Sequence, residues 1–172
     1  MSRWIVRLES SKKDASLDSM VERKLFELGL ALPTPPKPAG NYSAFVLVGK
    51  LLFLSGQFPI HNPSSAIKGR VGAELTEQQG QVAARFAALN VLAQIRAAMD
   101  GFERLETLLR VEGYVASAQR WTNAPKVLDG ASDLFVATLG LRGRHSRTAF
   151  NVPQLPCDFA VELVVTAAVK LK

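Results

Sequence analysis

A chain of 172 residues, 48% hydrophobic and 21% charged, has enough apolar material for one domain with a real core and too little polar bias for disorder along its whole length. Its single cysteine, Cys157, excludes an intramolecular disulfide and a cysteine-rich metal centre, and its two histidines, His61 and His145, stand in no ligand spacing, so no metal site is expected. The net charge of +6 admits acidic partners, but the Lys and Arg residues are dispersed, without a basic run or an aromatic interleave, and read as a solvated surface rather than a nucleic-acid footprint.

At the N-terminus, MSRWIVRLESSKKDAS carries Glu9 and Asp14 and too short an apolar run for a secretory signal. Residues 1–19 read as an extension, with a mitochondrial presequence as the alternative to a cytoplasmic chain, and Met20 opens a single domain over residues 20–172. No apolar stretch reaches the roughly 18 residues of a membrane span. Ser19 and Glu22 make a capping-box pattern, Val21, Leu25 and Leu28 share one helical face, and Gly29 can close that helix. Four prolines in PTPPKPAG, residues 33–40, impose an extended linker. YSAFVLVGKLLFLSGQ then predicts a hairpin turning at Gly49-Lys50, and residues 58–75 hold no period and predict a long loop.

Thr76 and Gln79 repeat the capping-box pattern for a second helix, striped by Val82, Phe86, Leu89 and Ala93 and stopped at Asp100-Gly101. LETLLRVEGYVAS predicts a strand with Val111, Gly113 and Val115 on one side and Arg110, Glu112 and Tyr114 on the other. Pro125 suits the first turn of a third helix, whose apolar stripe is Leu128, Ala131, Leu134 and Phe135 and whose end is Gly140. Two strands finish the chain, around Ser146–Phe150 and Phe159–Val169. The order is α-ββαβαββ, which predicts an α+β mixed sheet with its helices packed on one face. Apolar residues on both sides of YSAFVLV and DFAVELVV demand a cover for the other face, and a second copy of the chain is the simplest one.

Two charges in the last strands are the candidates for chemistry. Glu162 sits inside FAVELVV, where an unpaired carboxylate costs several kcal/mol to desolvate. It reads either as an exposed or salt-bridged strand residue or as a carboxylate in a partly dry pocket, its pKa raised, able to hold or activate water. Arg147 reads either as one more surface cation or as a planar fork for a carboxylate. Cys157, between Pro156 and Asp158, is expected to be a buried or neutral thiol, His145 a loop residue, and Tyr42 and Tyr114 packing residues whose hydroxyls find partners. GxSxG, Walker and GxGxxG motifs are absent.

Taken together, GNYSAFVLVGKLLFLSGQFP, KGRVGAELTEQQGQVAARFAALNVL, VEGYVASA, PKVLDGASDLF and GRHSRTAFNVPQLP…VELVV resemble the YjgF/RidA family, in its longer "endoribonuclease L-PSP/chorismate mutase-like" branch, over about Met20 to Val169. The resemblance implies a chorismate-mutase-like fold, a homotrimer with ligand clefts between subunits, and hydrolytic deamination of reactive enamines and imines of the 2-aminoacrylate type to 2-keto acids and ammonia, without a cofactor. It implies that Arg147 grips the substrate carboxylate and Glu162 positions the attacking water. Ala149 would contribute backbone polar groups, and Tyr42, Ser55 and Gly56 would line the cleft. Asp129 stands where the family often has asparagine, and Asn151 and Pro153 make the loop after Arg147 unusual. The ligand would be a small 2-keto or 2-imino acid, with no RNA and no membrane as partner. The alternatives are a protein that binds small acids without turnover and an endoribonuclease-type translation inhibitor.

Overall fold

The structure, a computed structural model, describes residues 16–62 and 65–171; most of the expected N-terminal extension, residues 1–15, lies outside them. Helix α1 spans Leu17–Glu27. Its cap is Ser16, whose hydroxyl accepts from the Ser19 N–H at 3.2 Å, so the helix starts ahead of the expected Ser19 cap. The earlier serine wins because it lets Leu17 join Val21 and Leu25 in the core. Leu28 is the C-cap and stays exposed, and Gly29 takes the left-handed conformation expected of it.

Strands β1 (Phe45–Val48) and β2 (Leu51–Gln57) form the expected hairpin, with Val48 opposite Leu51 across Gly49-Lys50. Only Gly49 of the turn pair has positive φ, as a type II′ turn requires. Residues 58–75 depart from the expected loop. They form a two-stranded ladder, β3 (Ile60–Asn62) with β4 (Ser65–Ala66), and are tied to the domain by bridges from Lys68 to Phe159 and from Val71 to Ser117. The partners are remote in sequence, so no local period announces them.

Helix α2 spans Glu77–Met99, opened by a complete Thr76–Gln79 capping box and closed by Asp100 in the left-handed region. Its buried face differs from the expected stripe: Val82 is exposed, and Ala83, Ala84, Ala87, Ala88, Val91, Leu92 and Ile95 are buried with Leu89 and Ala93. Alanine carries little hydrophobic weight in a stripe, yet it lets a helix approach its neighbours closely on several sides. By length and apolarity alone α2 could cross a membrane, but 67% of its most apolar window is packed inside the fold. Strand β5 (Leu105–Ala116) and helix α3 (Ala124–Leu139) follow, with the expected faces inward. Strand β6 (Ser146–Val152) and strand β7 (Val161–Val169) complete the fold. The final strand starts two residues later than expected because Pro156–Asp158 make a 3₁₀ turn with positive φ at Cys157 and Asp158.

The sheet order is β1-β2-β7-β5-β6, parallel only between β5 and β6. This is a mixed α+β fold whose five-stranded sheet carries its helix layer on one face. Leu52 and Leu54 of β2, Val111 and Val115 of β5, and Val161, Leu163 and Val165 of β7 point into the core under α2 and α3. The opposite face is open, with Val46, Val48, Leu51, Phe53 and Phe150 each at least two-fifths exposed or close to it. The two core helices meet where Gly130 of α3 lies against the backbone carbonyl of Gln81. A Cβ there has no room. Helix propensity favours alanine by about 1 kcal/mol, but overpacking against fixed backbone costs up to about 3 kcal/mol. Gly130→Ala is therefore expected to lower the unfolding free energy in chemical denaturation; an unchanged midpoint would show that the helices part freely.

Candidate functional site

Strand β2 does not pair regularly with β7. Leu54 faces Val165 and Gln57 faces Leu163, so β2 carries one extra residue between them. Leu54 and Gln57 are both buried, which leaves Ser55 and Gly56 to bulge together beside Glu162. The fit is close: a Cβ on Gly56 would overlap Glu162 Oε1. Glycine at position 56 is thus the space in which the carboxylate lies.

Glu162 shares a cavity of about 590 Å³ with Tyr42, Ser55, Gly56, Gln57 and Phe159. Four of the sequence-predicted site residues therefore come together in one chain. Glu162 is partly buried, and no cation or hydrogen-bond donor among the described residues reaches its side chain. Burial pushes its pKa above the ordinary 4.5. The charge inside the last strand is thus partly buried and, among the described residues, has no salt bridge. The Ser55 hydroxyl donates to the Ser43 carbonyl at 2.7 Å and so holds the chain behind Tyr42, leaving its lone pairs for a ligand. The Tyr42 hydroxyl accepts from the Ala39 N–H at 3.2 Å.

Several lining residues escaped the sequence reading. Gln57 is 5% exposed; its amide donates to the Ser55 carbonyl at 3.0 Å, and its Oε1 has no partner among the described residues. Asn90 and Gln94 of α2 hold two walls of the cavity. The Asn90 amide donates to the Phe58 and Ile60 carbonyls, each at 2.8 Å, and the Gln94 amide donates to the Pro36 carbonyl at 2.6 Å. Two amides four residues apart on the buried face of an alanine-rich helix were the available signal, since buried amides must be bonded. Cys157 also lines the cavity and is exposed, against the expected burial, because the left-handed 3₁₀ turn lifts it out of the core.

Arg147 is elsewhere. It pairs with Val111 on the helix side of the sheet, whereas Glu162 pairs with Tyr114 on the open side, and β5 lies between their strands. Strand spacing and rise put the two residues roughly 14 Å apart in the plane of the sheet, with side chains on opposite faces. The two residues were expected on neighbouring strands; they are instead separated by β5 and do not meet within one chain. Ala149 lies two residues beyond Arg147 on the same helix-facing side and packs partly against the core.

The Arg147 fork is also occupied. Nη1 donates to Asp129 Oδ1 at 3.2 Å and to Ser132 Oγ at 2.9 Å, and Nη2 donates to Asp129 Oδ1 and to the Pro125 carbonyl, each at 3.2 Å. Lys126 Nζ approaches the other Asp129 oxygen at 3.4 Å. His145 bonds Ser132 Oγ through Nε2 at 3.1 Å and the Gly143 carbonyl through Nδ1 at 2.7 Å; burial, and then Arg147, hold its pKa below 6.5. On the open face, Tyr114 donates to Glu112 Oε2 at 3.2 Å and stacks on Phe150 with ring centroids 5.2 Å apart. Among the described residues no three His, Cys, Asp or Glu side chains are grouped to hold a metal ion.

Comparison with known proteins gives the family and the fold. The model of the family described as "YjgF/chorismate mutase-like, putative endoribonuclease" matches residues 22–168. The Trypanosoma cruzi protein TCP17 is 40% identical over 144 residues, which is 83% of this chain and 90% of that protein. The crystal structure of Atu1372 from Agrobacterium tumefaciens, a protein of unknown function, is 34% identical, covers 90% of this chain and 95% of its own, and superposes with a TM-score of 0.84. A "putative endoribonuclease" from Shewanella oneidensis is 36% identical, covers 86% and 98%, and gives a TM-score of 0.83. The chain belongs to the YjgF/chorismate mutase-like family.

Two outcomes test the Glu162 environment. A carboxyl pKa raised on folding gives stability that is fully present below pH 4.5 and is lost as pH rises through the folded value. Glu162→Gln should remove that loss, so its stability advantage over wild type grows as pH climbs above 4.5 in denaturation series. Gly56→Ala should expel the carboxylate into water and return its titration, followed by carbon-detected NMR, toward the ordinary value while cooperative unfolding is kept.

Proposed function

We propose that this protein hydrolyses reactive enamines and imines of the 2-aminoacrylate type to 2-keto acids and ammonia, at a site completed between copies of the chain. The observation that carries this reading is Glu162: a partly dry, unpaired carboxylate with a raised pKa in a cavity large enough for a small ligand. Such a group accepts a proton from water as the water oxygen attacks the imine carbon. With the imine protonated, Glu162 returns that proton to the adduct's nitrogen, the C–N bond breaks as the adduct's hydroxyl gives its own proton to the freed carboxylate, and ammonia leaves with the keto acid. Protonation of an enamine at its terminal carbon gives the same imine. Proximity and one proton shuttle suffice because a free imine is already labile.

Arg147 and Ala149 lie on edge strand β6, and the cavity opens beside β2 near the other edge. One chain cannot bring the two halves together. In a homotrimer that covers the open apolar faces, Arg147, Ala149 and Asp129 of one copy reach the Tyr42, Ser55, Gly56 and Glu162 of the next. The Arg147 charge and its remaining Nε–H then orient the substrate carboxylate.

A specific observation favours a second reading, binding of a small acid without turnover. Both terminal nitrogens of Arg147 are committed to α3 in this chain, and a guanidinium tied to Asp129 grips a carboxylate less firmly. Cleavage of RNA finds less support, since the cavity offers one carboxylate and no histidine among its described lining residues.

Ammonia release from an imine generated by a pyridoxal-phosphate dehydratase is the test. Wild type should accelerate it, and Glu162→Gln should lower kcat by about 100-fold or more, the usual weight of one general base. Arg147→Ala should be impaired as well. Co-refolding the two variants should restore part of the activity, because mixed assemblies contain clefts with both residues intact. Release at the uncatalysed rate with saturable keto-acid binding would establish the second reading. Inactive single variants that co-refolding fails to restore would overturn the shared cleft, and fully active single variants would remove both residues from the chemistry.

A further inference from the structure

We infer that Lys37 is a specificity-determining residue of the Glu162 cavity and selects 2-imino and 2-keto acids whose side chain ends in an anionic group. This inference rests on the reading of the cavity as a small-acid site and adds the class of acid. Lys37 lines the cavity, and among the described residues no carboxylate pairs with it. Among the described lining residues the one acidic side chain is Glu162. Among the described lining residues Lys37, itself exposed, is thus the one cation.

Its position is set by the backbone. Pro36 and Pro38 flank it, so its neighbours have fixed φ, and the ring of Pro38 confines Lys37 to extended conformations. The segment is fastened on both sides. Buried Gln94 holds the Pro36 carbonyl at 2.6 Å, and the Ala39 N–H donates to the Tyr42 hydroxyl at 3.2 Å. A lysine on a floating loop would be an ordinary surface charge. Here the linker is clamped to the same helix that forms the cavity wall, and the Cα–Cβ direction of Lys37 is fixed with it.

The remaining lining explains what lies between the two charged ends. Pro36, Pro38, Ala39, Phe58, Ile60 and Phe159 present apolar surface, and the volume of about 590 Å³ far exceeds the needs of a three- or four-carbon acid. A longer substrate places its reacting carbon at Glu162, runs an apolar side chain along this surface, and meets Lys37 with a terminal carboxylate. The first carboxylate remains the concern of Arg147 from the adjoining copy.

Calorimetric titration of the full chain with matched keto acids tests this without requiring turnover. The probes are 2-oxoglutarate and 2-oxoadipate against 2-oxopentanoate and 2-oxohexanoate. Wild type should favour the dicarboxylates by about fivefold, the size of one partly exposed ion pair. Lys37→Ala should bring the ratio to about one, Lys37→Arg should retain it, and Lys37→Glu should invert it. A wild-type ratio of one, or a ratio that Lys37→Ala leaves intact, overturns the inference. The ratio can hold while ammonia release fails, in which case deamination falls and the selectivity of Lys37 stands.

Discussion

A carboxylate that its own chain leaves unneutralised is the constraint around which this fold is arranged. Glu162 occupies an inner position of the sheet, one strand from β2 and one from β5. Leaving it partly buried without a cation is unfavourable, and the raised pKa expresses that penalty. The surrounding sequence keeps the penalty in place. The bulge in β2 turns Ser55 and Gly56 to the same side, and the missing side chain of Gly56 admits the carboxylate oxygen. A regular β2 would instead present alternate side chains, and any Cβ at position 56 would push Glu162 away. Strain of this kind persists only where the neighbouring packing over-determines it. The buried Leu54 and Gln57 on either side of the bulge supply that packing.

The walls of the cavity follow from one helix. The inner surface of helix α2 is mostly alanine, leucine and valine, none of which makes a polar side-chain contact. Asn90 and Gln94 interrupt this pattern and spend their amides on main-chain carbonyls of two irregular segments. Irregular backbone beside a core needs partners of this sort. The proline linker and the Phe58–Ile60 segment are therefore attached features of the domain, and the cavity between them has defined sides.

The sequence made the regular elements legible and hid the relations between them. Capping at Thr76, the turn at Gly49-Lys50, the end of α3 at Gly140 and the two faces of β5 were all local signals, and each is where the residues placed it. Ser19 misled because the capping-box pattern is degenerate and burial of Leu17 decided in favour of Ser16. The stripe on α2 misled because alanines were not counted as a packing surface. Glu162 was legible from its place in an apolar strand and Tyr42, Ser55 and Gly56 by resemblance, and the four line one cavity. Within one chain Arg147 does not join them, and its strand could not announce this, because alternation along a strand gives a residue's face only relative to its own neighbours. Whether two strands present the same face at a given level depends on register, and the parallel pairing of Val111 with Arg147 settled it.

The pairing of Arg147 with Asp129 has a consequence for how such a site would work. An arginine held by an asparagine keeps its full charge for a ligand; one held by an aspartate shares it. Here the fork is filled by Asp129, Ser132 and a main-chain carbonyl, and Lys126 restores part of the positive charge from the next turn of α3. The cluster keeps one net positive charge, but the fork that would grip an anion is tied up, which suits it to orienting an anion already held elsewhere more than to capturing one from water. Capture then falls to a cation without a carboxylate of its own. On the cavity side of the chain that description fits Lys37, and under the proposed reading the arginine tied to Asp129 would orient the ligand while the lysine drew it in.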